Sequence, residues 1–265
     1  MIIVFHYFFY RIRSGSTLIY QQKKNQRILI VSDLHIKNPQ DARCQRFLSF
    51  LCTVDSAEVS HLILLGDIFD FCFGMKTFYR KKFSEVGAAL TCLAEKGVKV
   101  LYLEGNHEFA LKYLGWQGVT FINSESYLLQ ADSQTKILLA HGDHLIAKKL
   151  YKIFKFITKS FPFYLLASFV PGSVIDKICL CLSKRSKDSR YKKEQQDFLP
   201  VLLQEANFWL DGKDTHHGVF GHFHKQILEK RKKKSEGHIV CLNSWSKPNY
   251  LLFHQGIFKH YDLSH

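Results

Sequence analysis

The stretch VKVLYLEGNHEF, residues 98 to 109, joins an apolar run directly to a polar cluster. VKVLYL lies between Gly97 and Gly105 and has the pattern of a strand buried on both faces. Gly105-Asn106 is ordinary turn chemistry. Taken alone, the cluster reads equally as a polar turn or as one corner of an active site. The ends of the other strands decide between the two.

Four more apolar runs end the same way. RILIVS is followed by Asp33-Leu34-His35, HLILL by Gly66-Asp67, KILLA by His141-Gly142-Asp143, and HHGVF by Gly221-His222-Phe223-His224. Helical patterns at residues 40–54 and 76–96, a short helix from Glu108, and a helix at 191–211 alternate with these strands. Such alternation argues for an α/β architecture. SYLLQA reads as a further strand, and KQILEKR, HIVCLN, YLLFHQ and IFKHYD read as C-terminal hairpins. Residues 145–190 break the rhythm with apolar, lysine-studded sequence carrying Pro162 and Pro171. We read this segment as two or three short amphipathic helices. The basic run at 229–237 reads as a solvated hairpin loop, and MIIVFHYFFY at the start as an extra strand.

With 265 residues, 46% of them hydrophobic, the chain can bury a sizeable core. A formal charge of +14 favours an anionic partner: nucleic acid, phospholipid headgroups or a phosphorylated small molecule. Seven cysteines without CxxC spacing argue against disulfides and a zinc knuckle, and a reducing cytoplasm is the simplest home.

In α/β sheets, ligands bind beyond the carboxyl ends of the strands. Five ends carrying Asp, His or Asn, four of them beside glycine, therefore converge on one site. These residue types suit hard-to-borderline divalent cations, with no thiolate among them. Seven such donors exceed what one four-coordinate ion needs. Two ions sharing a carboxylate would use them fully, in the arrangement that clamps attacking and leaving oxygens in phosphoryl transfer.

The ordered motifs D-x-H, GD-x-x-D, GNH(E/D), H-G-(D/H) and GH-x-H resemble those of the calcineurin-like metallophosphoesterases, over residues 27–262. The resemblance implies a four-layer α-β-β-α sandwich of two mixed sheets with an inserted helical lid at 145–190, preceded by an N-terminal extension, residues 1–26. It places Asp33, His35 and His224 on one metal and Asn106, His141 and His222 on the other, with Asp67 bridging. His107 would protonate the leaving oxygen as general acid, and Asp70 would orient a ligand histidine. His144 is a further candidate for a site role. His216 and His217, at the far end of their strand, read as surface residues.

GDIFDFCFG, the inserted helices, SKRSKDSR and the terminal LNSW resemble the UDP-2,3-diacylglucosamine diphosphatase family of lipid A biosynthesis. That resemblance implies hydrolysis of an acylated UDP-sugar to UMP and lipid X, with manganese, by a peripheral protein at the cytoplasmic membrane face. It places Ser183, Lys184, Ser186, Lys187 and Arg190 on phosphate and sugar. The best-known branch of that family has Arg where this chain has His107. The alternative is a generic phosphodiesterase, phosphatase or nuclease of the wider superfamily.

Overall fold

The computed structural model describes residues 27–147, 149–191, 199–213, 215–231 and 236–263. The expected strand at the N-terminus lies outside the described residues, as does the middle of the 229–237 loop. The chain runs through β1 (Arg27–Val31), α1 (Ala42–Thr53), β2 (Val59–Leu65), β3 (Cys72–Phe73), α2 (Thr77–Lys82), α3 (Ser84–Glu95), β4 (Lys99–Leu103) and β5 (Glu108–Phe109). A 3-10 turn, Leu111–Leu114, precedes β6 (Val119–Ile122), β7 (Tyr127–Gln130) and β8 (Lys136–Ala140). Three lid helices follow: α4 (Lys149–Thr158), α5 (Phe161–Phe169) and α6 (Gly172–Tyr191). The chain continues with α7 (Leu199–Asp211), β9 (His217–Phe220), β10 (Ile227–Lys230), β11 (His238–Cys241), β12 (Asn249–His254) and β13 (Ile257–Asp262).

Two mixed sheets form, in the orders β13-β12-β1-β2-β4-β6 and β10-β11-β9-β8-β7. Strands β1, β2, β4 and β6 run parallel in the first sheet, and β8, β9 and β11 in the second. Because side chains alternate along a strand, each sheet presents two faces. Ile28 and Ile30 of β1 point between the sheets, with Ile63, Leu101, Ile137, Val219 and Val240. Leu29 and Val31 point the other way, toward Phe47 and Leu51 of α1 and Val86 and Leu90 of α3. Leu138 and Phe220 cover the outer face of the second sheet against Leu202, Ala206 and Leu210 of α7. The result is the expected four-layer α-β-β-α sandwich.

Several local expectations are corrected. The helix expected over 76–96 breaks at Phe83, whose backbone (φ −111°, ψ 24°) turns its ring flat against Phe69 with centroids 3.8 Å apart. Glu108 starts not a helix but the short strand β5, paired in parallel with β3. Strands β3 and β6 have no counterpart in the sequence reading. The helix expected over 191–211 is described only from Leu199, and Tyr191 closes α6 instead. The four C-terminal strands do form two hairpins, but each joins a different sheet.

Candidate metal centre

The carboxyl ends of β1, β2 and β4 lie side by side in one sheet, and those of β8 and β9 in the other. The loops that follow meet across the top of the sandwich. The Asp33 N–H donates to Gly66 O at 3.1 Å, and the His35 N–H to Asp67 O at 3.0 Å. Two contacts then tie the sheets together. The His222 N–H donates to Asp33 Oδ2 at 2.8 Å, and His141 Nδ1 lies 3.0 Å from Leu65 O.

Asp33, His35, Asp67, His222 and His224 all adopt left-handed backbone, with φ between 51° and 68°. Non-glycine residues seldom adopt this conformation, and a surrounding structure must hold them in it. Here it turns each side chain off the end of its strand toward a common centre. Close approach also explains two glycines. A Cβ on Gly66, at φ +83°, would sit 2.6 Å from His141 Nδ1, and one on Gly105 would overlap Asp67.

The donors converge in three overlapping groups: Asp33, His35 and His224; His35, Asp67 and His107; Asp67, His141 and His222. Within each group the candidate ligand atoms lie within 4.8 Å of one another, so each group could hold a metal ion. The Nε2 atoms of His35 and His224 face each other at 3.2 Å, and Asp33 Oδ1 is 3.2 Å from His224 Nε2. His141 Nε2 is 3.4 Å from Asp67 Oδ2 and 3.1 Å from Asn106 Oδ1. Asp33 Oδ1 and His35 Nδ1 are buried without a hydrogen-bond partner.

The electrostatics fit a cation. Burial alone would raise the Asp33 and Asp67 carboxyls, but the imidazoles of His141, His224 and His107 hold both below the usual carboxylate range. Burial pushes His35 and His222 down to about 4, leaving neutral rings with free lone pairs. Burial opposes charge on His141 as well, but Asp67, Asp33 and Asp143 outweigh it and raise that ring to about 10. The cluster thus draws in positive charge, and a divalent cation would supply it in place of a proton.

His107 sits at the edge of this cluster. Its N–H donates to Asp67 Oδ1 at 2.9 Å, and its ring Nδ1 lies 2.7 Å from Asp70 O, leaving Nε2 3.8 Å from Asp67 Oδ2. Asp70 is buried, with Oδ1 3.9 Å from His35 Nδ1. It therefore faces the histidine side of the site, and its backbone orients His107. His144 instead packs its ring on Trp209 with centroids 4.5 Å apart. His217 is not a surface residue: it is buried at the far end of β9, its ring stacked on His238. Ser183, Lys184, Ser186, Lys187 and Arg190 fall on the last turns of α6, and their side chains lie outside the described residues.

The sequence reading gave no role to Glu108, the last letter of GNHE. Its fully buried carboxylate accepts from the backbone N–H groups of Asp67 (3.1 Å), Phe69 (3.1 Å) and Gly105 (3.0 Å), and from Tyr102 Oη (2.6 Å). It staples the loop carrying Asp67 to the loop carrying Asn106. Trp245 of LNSW is likewise buried, and its backbone N–H donates to Asp33 O at 3.2 Å. The only signal for either residue is its place beside a motif residue.

Residues 26–226 match the family model for the calcineurin-like phosphoesterases. A UDP-2,3-diacylglucosamine hydrolase of Blochmanniella pennsylvanica is 27% identical over 226 residues, covering 83% of this chain and 88% of that protein. A protein of the same name from Serratia proteamaculans is 26% identical over 227 residues, covering 82% and 90%. One from Ralstonia nicotianae is 32% identical over 123 residues, covering 46% and 45%. With a family match over most of its length, and buried Asp and His side chains brought together where that match ends its strands, the chain belongs to the calcineurin-like phosphoesterases and is a metal-dependent phosphohydrolase.

Proposed function

We propose that this chain hydrolyses the pyrophosphate bond of an acylated UDP-sugar, UDP-2,3-diacylglucosamine, to UMP and lipid X. Two divalent cations, Mn²⁺ in this reading, would be held by Asp33, His35 and His224 on one side and Asn106, His141 and His222 on the other, with Asp67 between them. When bound, they supply Lewis-acid charge and lower the pKa of attacking water. His107 delivers a proton to the leaving oxygen from Nε2, while the contact of Nδ1 with Asp70 O keeps the ring aimed. Ser183, Lys184, Ser186, Lys187 and Arg190 would hold phosphate and sugar, Arg190 by bidentate contact.

One observation carries the lipid reading: α4 is amphipathic the wrong way round for a solvated surface helix. Its inner face is polar, with Tyr151 and Lys155 reaching Asp143. Leu150 (81% exposed), Phe154 (61%) and Phe156 point outward. Leu166 and Phe169 of α5 and Ile178 of α6 extend the exposed apolar surface. Among the described residues no single helix is long and apolar enough to cross a membrane. An apolar face interleaved with lysines matches acyl chains or an anionic membrane surface, so the protein would sit peripherally on the cytoplasmic face.

A second reading, a small phosphodiester as substrate, draws on His107 standing where the best-known lipid branch has Arg. Product identification separates the two. Chelator-treated enzyme reloaded with Mn²⁺ is given acylated UDP-glucosamine, and phosphorus NMR is expected to show UMP and an acylated sugar 1-phosphate. If that compound stays intact while bis-nitrophenyl phosphate turns over, the lipid reading fails and the second stands.

A further inference from the structure

The lid does more than present an apolar surface: its first helix is fastened to both loops on one side of the site. Lys155 Nζ donates to Asp143 Oδ2 at 2.7 Å, and Tyr151 Oη to the same oxygen at 2.9 Å. Asp143 lies two residues beyond His141. One turn along lies Lys159, just past the last residue of α4, its backbone N–H still donating to Lys155 O at 3.0 Å. Its Nζ donates to Gly105 O at 2.9 Å and lies 3.6 Å from Glu104 Oε2. Gly105 precedes Asn106. The two lysines, four residues apart on one helical face, therefore grip the β8 loop and the β4 loop separately. His141 and Asn106 are the donors those loops carry, and they meet at 3.1 Å.

These contacts are placed to matter. Asp143 and Glu104 have side chains only 4% exposed, while Lys155 and Lys159 are 26% and 20% exposed. A buried carboxylate loses far more than a surface one when its cation leaves. Lys159 also lies over the Phe109 ring at 5.5 Å. Elsewhere the lid is pinned away from the site, through Lys82 with Asp176 and Lys76 with Ser168 O. Only α4 touches the donor loops in this way among the described contacts.

We propose that Lys155 and Lys159 are positioning residues: docking of α4 fixes the register of the His141 and Asn106 loops, so lid closure and assembly of that half of the metal centre are one coupled event. The donor assignment rests on the reading under Proposed function. Coupling is reciprocal, so whatever orders the loops also holds the lid down. A lid that only cradles acyl chains would leave small substrates and metal uptake indifferent to these lysines.

The test uses the full-length enzyme with Lys155→Met and Lys159→Met, which keep most of the aliphatic stem, and Lys155→Arg as the conservative rescue. Hydrogen exchange on metal-free protein is expected to speed up at residues 104–107 and 141–145 in both Met variants. Mn²⁺ titration followed by electron paramagnetic resonance is expected to show about 10- to 100-fold weaker binding at one of two sites, the usual effect of losing an outer partner of a ligand. On bis-nitrophenyl phosphate, too small to reach the lid's apolar face, kcat at saturating Mn²⁺ is expected to fall by at least about tenfold, with Lys155→Arg recovering most of it. Tyr151→Phe removes one hydroxyl and serves if a Met variant melts early; it is expected to speed exchange at 141–145 alone. Unchanged exchange in both loops overturns the proposal whether or not metal binds. Faster exchange in the Met variants, with a wild-type enzyme that takes up no Mn²⁺, leaves the latch standing and sinks the metal reading instead.

Discussion

Glu108 offers the sharpest test of how the site is held together. Glu108→Ala removes an acceptor that serves four donors: the N–H groups of Asp67, Phe69 and Gly105 and the Tyr102 hydroxyl. Each buried donor left unpaired costs about 1–3 kcal/mol. Against this stands the cost of the buried charge. Burial and the Asp67 carboxylate push Glu108 from 4.5 up to about 7, which corresponds to roughly 3 kcal/mol. At about 2 kcal/mol per donor, the net expectation is a loss of about 5 kcal/mol, or roughly 10–20 °C in Tm for a chain of this size. Glu108→Gln behaves differently. Its oxygen can serve Asp67 and Gly105 while its NH₂ donates to the Tyr102 hydroxyl, leaving only the Phe69 N–H without a partner. Relief of the buried charge offsets that loss, so Glu108→Gln is expected within about 2 kcal/mol of wild type. The assay is calorimetric melting of metal-free protein, with Mn²⁺ stoichiometry measured alongside. An Ala variant that melts within a few degrees of the Gln variant and binds metal normally would refute the staple.

His107→Ala is expected to keep both cations but lose about 10²–10⁴-fold in turnover, with a smaller loss for a nitrophenolate leaving group that needs no proton; an equal loss on good and poor leaving groups would assign His107 another role. Burial, aided by Lys99 beside His61 and by His238, His216 and Arg231 beside His217, holds both rings down to about 4. Between about pH 6.5 and 4 the unfolded chain then binds protons that the folded chain does not, so stability falls as pH falls through that window, by up to roughly 3 kcal/mol per ring. Denaturant melts over this range are expected to be flatter for His61→Gln, His217→Gln than for wild type, and parallel curves would remove these two rings as the cause.

The sequence by itself determined the family and marked which residues could hold a metal. Short continuous apolar runs mark the strands, and Asp, His or Asn at their ends, mostly beside glycine, marks where the backbone must leave the sheet. Both are local properties, readable along the chain. The order of the motifs, and through it the family, followed from the same residues. What sits beside what was not local. That His222 donates to Asp33 across two sheets depends on β9 and β1 packing face to face, which no run of residues encodes alone. The same holds for the errors. Phe83 sits in a good helical pattern but leaves it, because a stacked contact with Phe69 outweighs one more turn of helix. His217 looks like a polar strand start, yet Phe258 and His238 enclose it. In α4, the recurring lysines mark an amphipathic helix but do not say which of them faces the protein. Only the tertiary structure turns Lys155 inward, because it brings the buried Asp143 carboxylate beneath that face, and a buried charge must find its counter-ion.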